Sequence, residues 1–117
     1  MSTINMQSDQ ELPAIGLEWL DLTGEPVNFS SGHTFTLKFV NATTLATTAT
    51  KTTLITGAAT APNITIDFAT GELAAIASTT NGTLYNLHLV AKRTSDGKDR
   101  PYRPGAPFQI RLYTAPT

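Results

Sequence analysis

Apolar side chains recur at every second position along much of this chain, and this period constrains the fold more than any other feature of the sequence. In TFTLKFV, residues 34–40, Phe35, Leu37 and Phe39 alternate with polar residues. Successive side chains of a β-strand point to opposite faces of the sheet, so this pattern predicts a strand with one buried face. The same period marks AIGLEWL (14–20), ITIDF (64–68), TLYNLHLVAKR (83–93) and FQIRLY (108–113). We therefore expect several short strands that bury their apolar faces in a common core.

The segments between these strands are rich in turn-forming residues. DLTGEP follows Trp19 almost directly, and its Gly24 can adopt the positive φ that a tight turn needs. Trp19 shares a strand face with Ile15 and Leu17. We therefore interpret the tryptophan as a core residue and the turn after it as a corner of the fold.

The composition also favours β-structure. Only 15% of the residues are charged and threonine is abundant, and β-branched residues fit strands better than helices. NATTLATTATKTTLIT (41–56) predicts one or two weakly patterned strands. TGELAAIAS (70–78) predicts a helical turn that Thr70 could cap. The sequence thus predicts an all-β fold: a single antiparallel Ig-like β-sandwich of about seven strands with one short helical turn.

The chain has 117 residues, the size of one domain. Residues 1–13 are polar and aperiodic, so we expect a flexible N-terminal arm at 1–13 and the Ig-like sandwich at 14–117. The absence of cysteine excludes disulfides and thiolate metal sites. No apolar run reaches the roughly 20 residues of a membrane span, and the N-terminus lacks the features of a secretory signal peptide. We expect neither a membrane partner nor export by a signal peptide.

Several motifs together resemble a known family. WLDLTG, the strand TFTLKFV, the turn ATGEL and the long strand GTLYNLHLVAKRTSDGK follow one another as in the N-terminal domain of phage upper-baseplate proteins of the BppU type. The resemblance covers residues 14–113, although Tyr85 stands a residue later than the usual tyrosine before the long strand. It implies an Ig-like module that docks onto other virion proteins and performs no catalysis.

No pattern in the sequence indicates a catalytic, metal or cofactor site. His33 and His88 are far apart and lack carboxylates at metal-ligand spacing, so we interpret both as surface residues. SDGKD (95–99) lacks the further oxygen ligands of a calcium loop, and its Asp-Gly pair predicts a hairpin turn instead. The Asn-x-Ser/Thr triplets are interpreted as chance matches because threonine is so common; they begin at Asn28, Asn41, Asn63 and Asn81.

The charged residues are unevenly distributed along the chain. Acidic residues concentrate in the first quarter: Asp9, Glu11, Glu18, Asp21 and Glu25. Basic residues concentrate in the last: Lys92, Arg93, Lys98, Arg100, Arg103 and Arg111. Such patches can orient contacts between neighbouring copies, or can neutralise each other within one subunit, and the sequence leaves both possibilities open. The formal net charge of −1 argues against a nucleic-acid partner.

Two segments are candidates for protein contact. The loop after the long strand is predicted to present four residues to neighbouring proteins: Lys98, Arg100, Tyr102 and Arg103. The threonine-rich stretch 43–53 is a candidate edge strand, which a second chain could extend. Lys51 within it is a further candidate interface residue, or a gatekeeper that prevents such pairing.

The function that we expect is that of a non-enzymatic structural protein of a tailed-phage virion. Its place would be the tail tip or baseplate, where it docks onto other virion proteins and onto copies of itself. Two alternatives are a capsid decoration protein and a carbohydrate-binding module for host recognition. The second alternative requires exposed aromatic residues, whereas most aromatics of this chain fall on inward strand positions.

Overall fold

The structure is a computed structural model that describes residues 3–8, 14–21, 23–60, 62–102 and 108–114. Strands dominate these residues, which confirms the all-β prediction. The strands are β1 (Thr3–Gln7), β2 (Ile15–Leu17), β3 (His33–Asn41), β4 (Thr47–Lys51), β5 (Ile55–Gly57), β6 (Ile64–Ile66), β7 (Thr83–Arg93), β8 (Asp99–Pro101) and β9 (Phe108–Tyr113). A single turn of 3-10 helix, Leu73–Ala75, lies between β6 and β7.

The strands form two sheets. The larger has the order β1-β9-β7-β3-β4, and β8 pairs with the part of β7 that β9 does not reach. The smaller has the order β2-β6-β5. Every neighbouring pair is antiparallel except β1 and β9, which run parallel. The expectation of a purely antiparallel fold is therefore wrong for this pair, and the larger sheet is mixed.

Both sheets contribute to one hydrophobic core, and the alternating positions fill it as their period predicts. The larger sheet buries Phe35, Leu37, Phe39, Tyr85, Leu87, Leu89, Phe108, Ile110 and Leu112. The smaller sheet and the segment after it bury Ile15, Ile64, Ile66 and Phe68. The intervening residues Lys38 and His88 are exposed. Two sheets that share their inner faces in this way form a sandwich-like arrangement.

Trp19 lies in this core and is only 5% exposed, as predicted. Its ring contacts that of Phe29, with centroids 4.8 Å apart, and that of Tyr102, with centroids 5.0 Å apart. The turn after it is a corner closed by Asp21, whose Oδ1 accepts hydrogen bonds from the Thr23 hydroxyl and backbone N–H. These bonds, the one from the hydroxyl first, lower the pKa of Asp21 below its usual range, so the carboxylate that closes the corner is charged at neutral pH.

The prediction of a flexible arm is wrong for residues 3–7, which form β1 along the edge of β9. Met6 is buried in the core and Ile4 packs against it. Two apolar residues spaced two apart are enough to hold a strand where a neighbouring strand offers free backbone groups. The sequence alone did not reveal that β9 leaves such an edge. The remaining residues of the predicted arm, 1–2 and 9–13, lie outside the described residues.

The predicted helical turn is confirmed, but Thr70 does not cap it. The residue before the turn is Glu72, and no side-chain hydrogen bond caps the N-terminus. Instead the Glu72 carboxylate accepts a hydrogen bond from the backbone N–H of Ala69. Leu73 anchors the turn because its side chain is fully buried.

Candidate protein-contact surface

The hairpin between β7 and β8 (residues 92–100) is exposed and rich in charged side chains. Arg93 N–H donates to the carbonyl of Lys98 at 2.9 Å, and Gly97 N–H donates to the carbonyl of Arg93 at 2.8 Å. Gly97 has φ +70°, a conformation that glycine adopts without steric cost. The Asp-Gly pair therefore makes a hairpin turn, as predicted.

Asp96 organises the tip of this hairpin. Its carboxylate accepts two hydrogen bonds from the Arg93 guanidinium, at 3.1 and 2.6 Å, and one from Lys98 N–H. The guanidinium, as the largest influence, holds the pKa of Asp96 below its usual value, and the same contact raises the pKa of Arg93. The positive charge of Arg93 is therefore paired with Asp96 within the hairpin.

Two of the predicted interface residues remain available on this hairpin. Lys98 and Arg100 are exposed, and neither forms an ion pair with another described residue. Lys92, by contrast, lies 3.9 Å from the carboxylate of Asp99. Backbone pairing of β8 with β7 fixes the position of Arg100 opposite Ala91. The hairpin thus presents two cations on a backbone that the sheet holds in place.

The prediction that Tyr102 reaches a partner is wrong, because this residue is only 7% exposed. Its ring contacts Trp19 and also Phe108, whose centroid lies 6.0 Å away. Its backbone N–H donates to the carbonyl of Leu89. The polar neighbours of Tyr102 in the sequence hide its role: the ring closes the end of the core and anchors the hairpin from inside.

The prediction that Lys51 belongs to an exposed interface, or guards it, is also wrong. Its side chain is 3% exposed and its Nζ lies 2.6 Å from Oε2 and 2.8 Å from Oε1 of Glu72. The same Nζ stands 5.1 Å above the centre of the Phe68 ring. Lys51 pairs with Leu37 of β3, and paired residues share a sheet face, so its side chain points inward. The ion pair ties the edge strand to the 3-10 turn.

The fifth predicted interface residue, Arg103, lies outside the described residues. The acidic and basic quarters of the chain are not joined by ion pairs among the described residues, whose pairs are Lys51–Glu72, Lys92–Asp99 and Arg93–Asp96. They do approach each other, because the Tyr102 hydroxyl donates to the carbonyl of Glu18 at 3.4 Å.

The two histidines have different surroundings. His33 is half-buried with its ring edge-on to Phe29, and its Nδ1 lies 3.1 Å from the carbonyl of Ser31. His88 is exposed on the outward face of β7. In the described part of the chain, no group of three His, Asp or Glu side chains is placed to hold a metal ion. Nor is any helix there both long and apolar enough to cross a membrane.

The sequence did not single out three residues that the structure makes conspicuous. Asn63 is fully buried, so the first residue of its Asn-Ile-Thr triplet is no sugar acceptor in the folded chain. Leu45 and Leu54 are 72% and 47% exposed, and both have positive φ, +63° and +60°. Their signal in the sequence was faint: Leu45 stands alone among threonines and alanines, and Leu54 follows two threonines and precedes Ile55.

No protein-family model, curated protein or solved structure matches the chain.

Proposed function

We propose that the chain is a non-enzymatic Ig-like docking domain of a tailed-phage virion, placed in the tail tip or baseplate, and that it contacts neighbouring virion proteins through the β7–β8 hairpin. The observation that carries the contact is the hairpin itself. Lys98 and Arg100 are exposed and form no ion pair with another described residue, and Asp96, Gly97 and the β7–β8 pairing hold the turn that carries them. A rigid basic projection loses little conformational freedom on binding and suits an acidic patch on a partner.

The strand order supports the Ig-like part of the proposal. An Ig sandwich of the variable type sets strands G, F, C and C′ in one sheet and B, E and D in the other. The order β9-β7-β3-β4 corresponds to the first set and β2-β6-β5 to the second.

A tyrosine near the start of β7 supports it as well. In Ig-like domains a tyrosine near the start of strand F donates its hydroxyl hydrogen bond to the backbone a few residues upstream. Tyr85 lies near the start of β7, and its hydroxyl donates to the carbonyl of Ala77. The acceptor lies eight residues upstream, and the contact is similar in kind to the one in Ig-like domains.

The burial of the aromatic residues weighs against the carbohydrate-binding alternative. Sugar-binding surfaces use exposed aromatic rings, whereas every aromatic residue of this chain except Tyr113 is buried. Tyr113 itself is half-buried. We therefore retain docking between proteins as the proposed activity.

The experiment tests whether the protein is incorporated into virions, and in which part of the particle. Particles of the phage that encodes this chain are purified, heads and tails are separated, and the protein is detected in each fraction by mass spectrometry. We expect it in the tail fraction, and we expect the double variant Lys98→Glu/Arg100→Glu to fold normally but to be missing from tails. Lys38→Glu, an exposed charge reversal on the outward face of β3, is the matched control and should be incorporated.

The other outcomes count against the proposal. Detection in heads would favour the capsid decoration alternative. Absence of the protein from all particles would contradict a virion role. Equal incorporation of the double variant and the control would remove the hairpin as the contact surface.

A further inference from the structure

One stretch of the chain carries almost no charge. Residues 39–66 contain a single charged side chain, Lys51, and that charge is paired with Glu72. The mostly exposed part of the stretch runs from the hairpin tip after β3, through β4, to the end of β5 and the loop that follows. We call these residues, 42–60, the uncharged edge.

The two strands of the uncharged edge lie on the same side of the molecule. β4 is the last strand of the larger sheet and β5 is the last strand of the smaller. Only three residues, 52–54, connect them, and a connection of that length spans at most ~14 Å. The connection is too short to cross the sheets, so the two edges are neighbours.

Among the described residues, β4 is open along this side. Next to the end of β5, Phe29 N–H donates to the carbonyl of Ala58 at 3.0 Å, and a Cβ on Gly57 would clash with the Phe29 carbonyl oxygen. β4 pairs with β3 on one side and has no other strand partner among the described residues.

Apart from one irregularity, the open edge lacks the usual protection against pairing. Edge strands are commonly blocked by outward lysines, prolines or bulges. Lys51 points inward, and residues 42–60 contain no proline. The one irregularity is a register shift opposite Phe39 and Val40, which confines the regular part of β4 to residues 49–51.

Two exposed leucines flank β4. Leu45 lies two residues before the strand and Leu54 three residues after it. Both adopt the left-handed backbone conformation that favours glycine, and both place an apolar side chain in water. The backbone of each leucine is used within the subunit, because Leu45 N–H donates to the carbonyl of Asn41 and the Leu54 carbonyl accepts from Asp67 N–H. Their side chains, however, remain in water at the two ends of the open strand, where a second chain can cover them.

We propose that two copies of this chain associate through their uncharged edges, with β4 antiparallel to β4 of the second copy about a two-fold axis. The lack of charge favours a second copy of the same chain as the partner. A two-fold contact brings the same surface of both copies together, so each charged side chain near the axis would approach its own equivalent. The uncharged edge avoids that repulsion.

The positions of the leucines fit the same arrangement. If the two strands are centred between residues 49 and 50, Leu45 of one copy reaches the end of the second copy's β4 at which Leu54 follows. The same contact repeats at the other end by symmetry. The contact closes as a dimer. This inference rests on the proposed docking function and adds to it a surface for self-association.

The test measures the mass of the pure protein by sedimentation equilibrium from micromolar to millimolar concentration. We expect a monomer–dimer equilibrium. Thr50→Lys and Leu54→Lys should each raise the dimer Kd at least tenfold. The first places like charges close to the two-fold axis, and the second places a charge against the apolar Leu45 of the other copy. Leu20→Lys is the matched control, because Leu20 is 44% exposed but lies outside the uncharged edge. Its Kd should stay within twofold of the parent value.

A second measurement uses the absence of cysteine from the chain. Leu45→Cys and Leu54→Cys proteins are mixed under mild oxidation, and we expect disulfide-linked dimers between the two variants. Leu20→Cys mixed with Leu54→Cys should give none.

Three results would overturn the proposal. They are a strict monomer at millimolar concentration, a dimer that neither lysine variant weakens, and assemblies that grow beyond the dimer with concentration. Because these measurements use pure protein, they can fail while virion incorporation succeeds, and the reverse, so the two proposals are distinguished.

Discussion

At the scale of single residues, Asn63 holds the corner that contains the tryptophan. Its Nδ2 donates to the carbonyls of Trp19 and Val27, at 2.7 and 2.8 Å, and its Oδ1 accepts from Trp19 N–H at 2.7 Å. One buried side chain therefore satisfies three backbone groups near the place where the chain leaves β2. Buried backbone groups without hydrogen-bond partners cost free energy, so no apolar residue could replace this amide.

Replacing Asn63 by alanine should lower the free energy of unfolding by about 3 kcal/mol, because it removes partners from three backbone groups. Urea denaturation measures the change, with Asn5→Ala on the exposed face of β1 as the control. Asn63→Asp keeps the shape, but its carboxylate cannot donate to the two carbonyls. Burial would raise its pKa, so its stability should recover as the pH falls through that raised value. A loss below about 0.5 kcal/mol in Asn63→Ala would contradict this role of the amide.

Leu45→Gly should raise the free energy of unfolding of the monomer by about 0.5–1 kcal/mol. Glycine relieves the left-handed strain at φ +63°, and this gain exceeds the greater freedom of glycine in the unfolded chain. Leu20 has no positive φ, so Leu20→Gly should destabilise and serves as the comparison. Thermal melts at low concentration, where the protein is monomeric, give the sign. A destabilised Leu45→Gly would show that the leucine contributes to the fold of the single subunit.

At the scale of elements, Tyr85 connects the start of β7 to the segment before it. Burial raises the pKa of its hydroxyl, which therefore remains protonated and donates to the Ala77 carbonyl. Tyr85→Phe keeps the buried ring and removes the hydroxyl, with its bond to Ala77 and its contact with the Thr48 side chain, so we expect a loss of about 1–2 kcal/mol in urea denaturation. Tyr113→Phe, at a half-buried position, should change the stability little. Equal stability of Tyr85→Phe and the parent would mean that the hydrogen bond adds nothing.

The ion pair between Lys51 and Glu72 joins two elements that backbone pairing leaves separate, β4 and the 3-10 turn. A double-mutant cycle with Lys51→Met and Glu72→Gln should give a coupling energy of about 1–3 kcal/mol, larger than for an exposed pair. The exposed pair of Lys92 and Asp99 provides the control cycle and should couple by less than about 0.5 kcal/mol. Similar coupling in both cycles would show that burial does not strengthen the inner pair.

At the scale of the whole molecule, β1 decides how the larger sheet ends. It covers β9 by parallel pairing and buries Met6. Deleting residues 1–8 should therefore lower the free energy of unfolding by about 2–3 kcal/mol, because apolar surface is uncovered. It should also increase aggregation, since the freed edge of β9 can pair with other chains. Thermal melts and size-exclusion chromatography measure both effects. A truncated chain that melts and elutes like the parent would restore the flexible-arm interpretation.

The sequence by itself determined the all-β class, the inward residues of the long strands, the core position of Trp19 and the Asp-Gly hairpin. Each of these depends on local information: a period of two, or the conformational freedom of a glycine in a turn. The exposure of Lys98 and Arg100 was predictable for the same reason, because a charged residue beside a hairpin tip has few ways to become buried.

Only the tertiary structure decided the roles of Tyr102, Lys51, Asn63 and residues 3–7. Each of them is held by a segment that lies far away along the chain, which no local pattern reveals. Lys51 did carry a local hint, since it stands two residues after Ala49, on the inward register of β4. Its carboxylate partner, however, comes from the turn before β7. Burial of a polar residue depends on the partner that the fold supplies, and a linear pattern does not contain that partner.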